Sequence, residues 1–411
     1  PDEDERMPQK DDPLPPAQIA LFKQWIDEGA KFDGASPKTP LAELLIKKEA
    51  PTTLEKYPRP VPVTALAFAP DGQSCFSSGY HEVLEWNVAD GALRRRLPGA
   101  PERVLAISVQ TGGDLLAVAG GAPGRSGEGV IFSRSTGKVV QRLPNAKDTL
   151  LAAAFSPDGS LLAVGGADNL IRVFRSADWK LAWKAEAHAD WVTHLAFSPD
   201  GQLLVSTSRD RTARIFTAAK GEPGITFTNH TSAVTCAAWD PKGKILYTSA
   251  ADGEVRRWPW ESAVDGSGRA TDLLLKGGRQ EVTRIAMAGT RLLAASADGR
   301  IRAYSITKKE EPPPEKKPDE KEKDQANAKV ADKDKDKAKE PDKKKEEAKK
   351  KSADGLQVDI KELETFGRRV DALAVDGTAA RAVVAGQEGK LRLIQLQDDK
   401  ITLERTAAPG W

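Results

Sequence analysis

Apolar and polar positions alternate along this chain in a pattern that returns. An apolar run, a turn reading Ser-Pro-Asp-Gly or a near variant, and a second apolar run recur at 67–72, 155–159, 197–201 and 239–243. The copies lie about 42 residues apart, or roughly twice that, which is the period of a β-propeller built from four-stranded units. One unit shows the logic. Residues 150–156 predict a short apolar strand and Pro157-Asp158-Gly159 a turn. Residues 161–165 predict a second strand, and Asp168-Asn169 a tight turn suited to positive φ. Residues 171–174 then alternate, and 181–185 close the unit. Four strands this short cannot bury both faces alone, but they can when stacked radially on neighbours. The pattern places seven such units, at 64–97, 104–143, 150–187, 192–229, 234–276, 282–366 and 370–406.

The polar residues inside the units resemble the WD-repeat family. A blade of that family has a His before its first strand and a Ser or Thr on its second. An Asp sits in the turn before the third strand, with a Trp six residues later. The fifth unit carries all four, as His230, Thr248, Asp252 and Trp258. The resemblance implies a structural tetrad that pairs buried polar groups inside the blade. The fourth unit has His188, Ser206 and Asp210, with Phe216 in place of Trp. Units three and six keep Asp168 and Asp298, followed by Phe174 and Tyr304; unit seven has Glu388 and Ile394. The fold expected is all-β, a seven-bladed WD-repeat propeller over 62–411.

The sixth unit is too long by one block, 308–354, composed mostly of Lys, Glu, Asp, Pro and Ala. Such a composition cannot bury enough apolar surface to offset ordering entropy, so it is expected to be a disordered insertion between the third and fourth strands. It holds 17 lysines against 15 acidic residues, and so carries the whole chain's net charge of +2. Mixed signs, rather than blocks of one sign, argue against a nucleic-acid tail.

Ahead of the propeller, Ile19, Leu21, Phe22, Trp25 and Ile26 have helical spacing. Pro15 and Pro16 stand at the start and Gly29 at the stop. One amphipathic helix of this length is marginal alone and needs something to pack on. With Met7-Pro8 before it and Trp-Ile-Asp-Glu-Gly-Ala at its end, the stretch 6–31 resembles the C-terminal end of the planctomycete-type cytochrome c domain. The expected organisation is a cytochrome c-like fragment at 1–34, a linker at 35–61 and the propeller. The resemblance implies haem c in the full-length protein, with Met7 as axial ligand to the iron. It also implies electron transfer and an extracytoplasmic, periplasmic location. The wording of 79–88 and 120–132 resembles the first two blades of fusions of this type. The two cysteines, Cys75 and Cys236, fall on predicted strands, and no Cys-x-x-Cys-His occurs. This polypeptide therefore cannot attach haem covalently, and the attachment motif is expected upstream of it.

Other chemistry is thin. The glycine-rich stretch 120–129 lacks the Gly-Lys-Ser/Thr ending of a phosphate loop and is expected to be a lengthened turn. His81, His188, His194 and His230 show no metal-ligand spacing, and His194, on a strand, is expected in the core. No nucleophile–base set emerges, so no enzyme is expected. No apolar run is long enough to span a membrane. What remains is protein binding, through the loops before first strands and between second and third strands. Those loops offer Tyr80, His81, Arg125, Trp191, Arg209 and Arg211, side chains of the types that dominate interfaces. The function expected is a monomeric protein-interaction scaffold joined to a c-type haem domain. The alternative is a cytosolic scaffold propeller without a redox role, its N-terminal helix a packing cap.

Overall fold

The computed structural model describes residues 16–27, 55–260, 273–276, 278, 280–308 and 356–407. It has two compact units, 1–50 and 51–411. In the first, the chain forms the helix Pro16–Asp27, on which Ile19 and Ile26 are exposed. Met7 lies outside the described residues, as does the expected 308–354 insertion apart from Lys308, which ends a strand.

The second unit is all antiparallel strand. Five four-stranded meanders occupy 150–185, 192–227, 234–276, 282–365 and 370–406, preceded by one seven-stranded sheet over 66–142. In the unit used above as the example, the strands are Leu150–Phe155, Leu161–Gly166, Ile171–Arg175 and Leu181–Ala185. The intervening turns work as their residues require. Gly72, Gly159, Gly201 and Gly243 all have φ between 66° and 72°, and Asn169 has φ 65°. The hydroxyls of Ser156 and Ser198 are held at 2.5 Å by Asp158 and Asp200, which also accept the turn amides of Ser160 and Gln202, while the next strands' first amides donate to the serine hydroxyls.

Two places differ from the sequence expectation. The break between the first two units does not open the sheet, because Leu93–Val109 runs as one strand. It pairs with Tyr80–Asn87 through its first half and Leu115–Ala122 through its second. Close approach of backbone allows this: a Cβ on Gly120 would stand 1.8 Å from the carbonyl oxygen of Arg103. The glycine-rich stretch is consequently no lengthened turn. Gly120, Gly121 and Ala122 pair with Glu128, Gly127 and Ser126 in an extended hairpin. Across the insertion, Arg300–Lys308 pairs with Leu356–Thr365, so the chain resumes its sheet at Leu356.

Apolar side chains collect between successive meanders. One cluster joins Val173 and Trp183 to Leu195, Leu204 and Phe216, and another joins Ile215 and Phe227 to Ala237, Leu246 and Trp258. The last sheet meets the first in the same way, Val383, Leu391 and Leu393 packing on Leu66, Leu84 and Trp86. The amide of Val63 donates to the carbonyl of Gly386.

First strands of successive meanders are also latched by hydroxyls. Thr193, Thr235 and Thr283 each donate to the first carbonyl of the next meander, on Val234, Val282 and Val370, and Thr64 donates to Val104 within Leu93–Val109, all at 2.5–2.6 Å. Thr193, Thr235 and Thr283 sit at register shifts of their own strands. A bulged residue leaves its ladder, and here its side chain is free to reach the neighbour.

Candidate functional site

The expected tetrad is present in part in each of two units. In the fifth, Trp258 Nε1–H donates to Thr248 Oγ1 at 2.8 Å, and His230 Nε2 lies 2.7 Å from the same oxygen. Asp252 does not complete the chain. Its Oδ2 accepts from Thr231 Oγ1 and its Oδ1 from the Glu254 amide, while His230 Nδ1 is buried without a partner. Burial pushes the His230 pKa down to about 4, the Arg256 charge adding to the fall and Asp252 opposing it. In the fourth unit the His–Asp link is made. His188 Nδ1 lies 2.9 Å from Asp210 Oδ2 and His188 Nε2 2.7 Å from Ser206 Oγ, but Phe216 ends the chain. Burial raises the Asp210 pKa; the hydrogen bonds from His188 and Thr212 outweigh it and hold the carboxyl well below its ordinary value.

Units three, six and seven use another device that the sequence reading missed. Asp168 pairs with Arg172 at 2.6 Å, Asp298 with Arg302 at 2.6 Å and Glu388 with Arg392 at 2.9 Å. The acidic turn residue that lacks a His is neutralised by an Arg four residues on, on the third strand. The signal was in the chain: Asp-Asn-Leu-Ile-Arg at 168–172, Asp-Gly-Arg-Ile-Arg at 298–302 and Glu-Gly-Lys-Leu-Arg at 388–392. In the first unit Trp86 Nε1–H donates to Ser77 Oγ at 2.9 Å, an indole–hydroxyl pair like that of Trp258 and Thr248.

The inner strands enclose a cavity of about 110 Å³ lined by Ala65, Ala106, Ala152, His194, Cys236, Arg284 and Ala372, with neighbouring residues. His194 thus faces this cavity and not the solid core. Above it a mouth of about 380 Å³ is bounded by Thr64, Leu105, Leu151, Thr193, Thr235, Thr283 and Asp371, together with Trp191, Glu281, Arg284 and Arg369. Arg369 is held between Glu281 and Asp371, at 2.6 and 2.5 Å.

Of the six residues expected to dock partners, Trp191 reaches this mouth. It is 41% exposed, and the Arg209 guanidinium stacks 4.7 Å from its ring centre. Arg209 also stands 3.6 Å from Asp190. Arg125 and Arg211 are exposed, Arg211 with φ 73°. Tyr80 and His81 meet edge to face at 4.4 Å, and neither lines the mouth. Tyr80 is positioned by a residue of the expected linker. Tyr57 is buried, accepts the Tyr80 amide and donates to Glu82, which in turn holds Arg96 through two bonds of 2.7 Å.

The residues present do not fit a covalently held haem. Cys75 and Cys236 are both buried, on Ser74–Ser78 and Val234–Trp239, and burial raises both thiol pKa values, that of Cys75 to about 12. Among the described residues no group of three or more His, Cys, Asp or Glu could hold a metal ion. No helix among them is long and apolar enough to cross a membrane.

Comparison with known families agrees with the repeat chemistry. Residues 153–239 match the Anaphase-promoting complex subunit 4 WD40 domain, and residues 221–259 match the WD domain, G-beta repeat. WD40 repeats are therefore present in the chain. No curated protein matches it.

Proposed function

We propose that this chain is a protein-interaction scaffold, a closed ring of seven blades that binds partners at the mouth of its central channel. WD40 repeats typically mediate protein–protein contact, and they require no cofactor. What supports seven blades is the lining of the mouth: Thr64, Leu105, Leu151, Thr193, Thr235, Thr283 and Asp371 stand at one equivalent position of seven inner strands. On this reading the strand Leu93–Val109 closes one blade and opens the next. The observation that carries the docking site is the Trp191–Arg209 stack at the rim of that mouth. A flat indole held open by a guanidinium is a ready hot spot, since both residue types carry disproportionate binding energy.

The redox part of the proposal is that 1–34 belongs to a c-type haem domain, in a protein exported from the cytoplasm. It is supported by the wording of 6–31, and its haem-attachment motif must lie outside these 411 residues. Reading the gene upstream for Cys-x-x-Cys-His and a signal peptide tests it directly. The docking site is tested by pull-down from the source organism with wild type and with Trp191→Ala plus Arg209→Ala. Loss of the same partners from the double variant, with an unchanged circular dichroism spectrum, is the expected result. Recovery of identical proteins by both would move the docking face elsewhere.

A further inference from the structure

We propose that the channel below the mouth is a binding site for one monovalent anionic group, a halide or a carboxylate, held by the Arg284 guanidinium with His194 Nε2–H as second donor. The inference does not depend on the docking reading, because it rests on what lines the channel itself.

Arg284 has five N–H donors to satisfy. It makes one hydrogen bond, from Nη1 to the carbonyl of Thr283 at 2.8 Å, and no ion pair with the described residues. The two carboxylates at the mouth, Glu281 and Asp371, hydrogen-bond Arg369 and not Arg284, so the Arg284 donors stay open toward the channel. Opposite Arg284, the wall at its own level is methyl: Ala65, Ala106, Ala152 and Ala372. A cation facing low-dielectric walls acts on a counter-ion more strongly than one in open water.

His194 adds a donor rather than a competing charge. The Ala237 amide donates to His194 Nδ1 at 3.4 Å, which leaves the ring proton on Nε2. Burial and the nearby Arg284 charge push its pKa down to about 3, so the ring is neutral at pH 7. Cys236 contributes no charge, since burial raises its thiol pKa and its sulfur contacts the carbonyls of Ala237 and Ile285.

The volume fits. The channel's roughly 110 Å³ is several times the ~10–15 Å³ that one water needs, so a halide or a carboxylate has room with water beside it. Thr64, Leu105, Leu151 and Arg284 line both channel and mouth, so the two are contiguous. A free anion can therefore enter, and so can the side chain of an Asp or Glu on a segment lying across the mouth.

The test uses the 411-residue protein and chloride-35 NMR line broadening as the probe of bound halide. Wild type is expected to broaden the chloride line more than Arg284→Met does. Arg284→Lys, which keeps the charge, should retain most of the excess. Sodium acetate should remove the excess competitively. A short peptide carrying one Glu should compete better than acetate at equal concentration if docked chains supply the carboxylate, and no better if free anions do. Equal broadening by wild type and Arg284→Met overturns the proposal. As a check that needs no variant, a bromide-soaked crystal of wild type should show an anomalous peak beside Arg284 in the channel. Ordered water alone at that place overturns it as well.

Discussion

Thr248→Val is the sharpest probe of the partial tetrad in the fifth unit. Thr248 is fully buried, and its hydroxyl serves two groups, the indole N–H of Trp258 and Nε2 of His230. Valine keeps the shape of the side chain and removes the oxygen, so little cavity forms. Trp258 Nε1 then has no acceptor. His230, whose Nδ1 already lacks a partner, loses its remaining one. Each buried polar group left unpaired costs about 1–3 kcal/mol, giving about 2–6 kcal/mol for the pair. In the fourth unit Ser206→Ala orphans only Nε2 of His188, which keeps Asp210 at Nδ1, and Phe216 has no N–H to strand. That change should cost about 1–3 kcal/mol. Urea unfolding of both variants, compared at constant slope, measures the two differences. The reasoning fails if Thr248→Val falls within about 0.5 kcal/mol of wild type, the range of an ordinary surface change. It fails equally if Ser206→Ala is the more damaging.

Other consequences are as direct. His230 and His194 are held neutral, at pKa values of about 4 and about 3, against about 6.5 in the unfolded chain. Both folded values are depressed for a base, so protons bind the unfolded state first. Stability is fully present above pH ~6.5 and falls by up to about 1.4 kcal/mol per pH unit per histidine as pH drops toward 4. Thermal unfolding between pH 7 and 4.5 should show this, and His230→Gln should flatten the slope. Arg302→Ala removes the buried guanidinium that Asp298 and Ser296 share, while Glu362 keeps Arg300, so a loss of about 3 kcal/mol is expected in urea. Trypsin should cut first within the lysine-rich 309–355 block. The two fragments should elute together on gel filtration, because Arg300–Lys308 and Leu356–Thr365 pair across the cut.

Most of the strand layout was legible because each unit announces itself twice, by an apolar run and by a turn whose glycine must adopt positive φ. The repeat also located the tetrad residues, since Asp and Trp keep a fixed spacing. What it could not fix was who bonds whom. Asp252 and Asp210 occupy the same place in their units, yet one takes Thr231 and the other His188. That choice turns on side-chain rotamers, which no residue pattern records. The continuous strand Leu93–Val109 was hidden for a similar reason. Pro98, Gly99 and Pro101 fall in the gap left between the units at 64–97 and 104–143, but an extended backbone suits Pro on a strand edge. The Asp–Arg and Glu–Arg pairs were legible, since each acidic turn residue without a His has an Arg four positions on.

A repeat carries its own controls, and they separate decay from specialisation. Where tetrads are lost, in units three, six and seven, an Arg takes over the same carboxylate and the buried charge stays paired. Such replacement preserves a structural role by other means and needs no ligand to explain it. The channel position behaves differently. Four inner strands place alanine there, as Ala65, Ala106, Ala152 and Ala372, and three consecutive ones place His194, Cys236 and Arg284. Among the described residues no carboxylate bonds this arginine, Glu281 and Asp371 being hydrogen-bonded to Arg369 instead. Structure alone would be satisfied by alanine at all of these positions, as it is in the others, so a charged and hydrogen-bonding arc on one side of the channel calls for something that is not the protein. At the mouth the same strands place Thr193, Thr235 and Thr283 beside that arc and Thr64, Leu105, Leu151 and Asp371 beside the alanines, so the asymmetry belongs to the channel level. A ligand entering the channel meets Arg284 and His194 on one side and alanine methyls on the other.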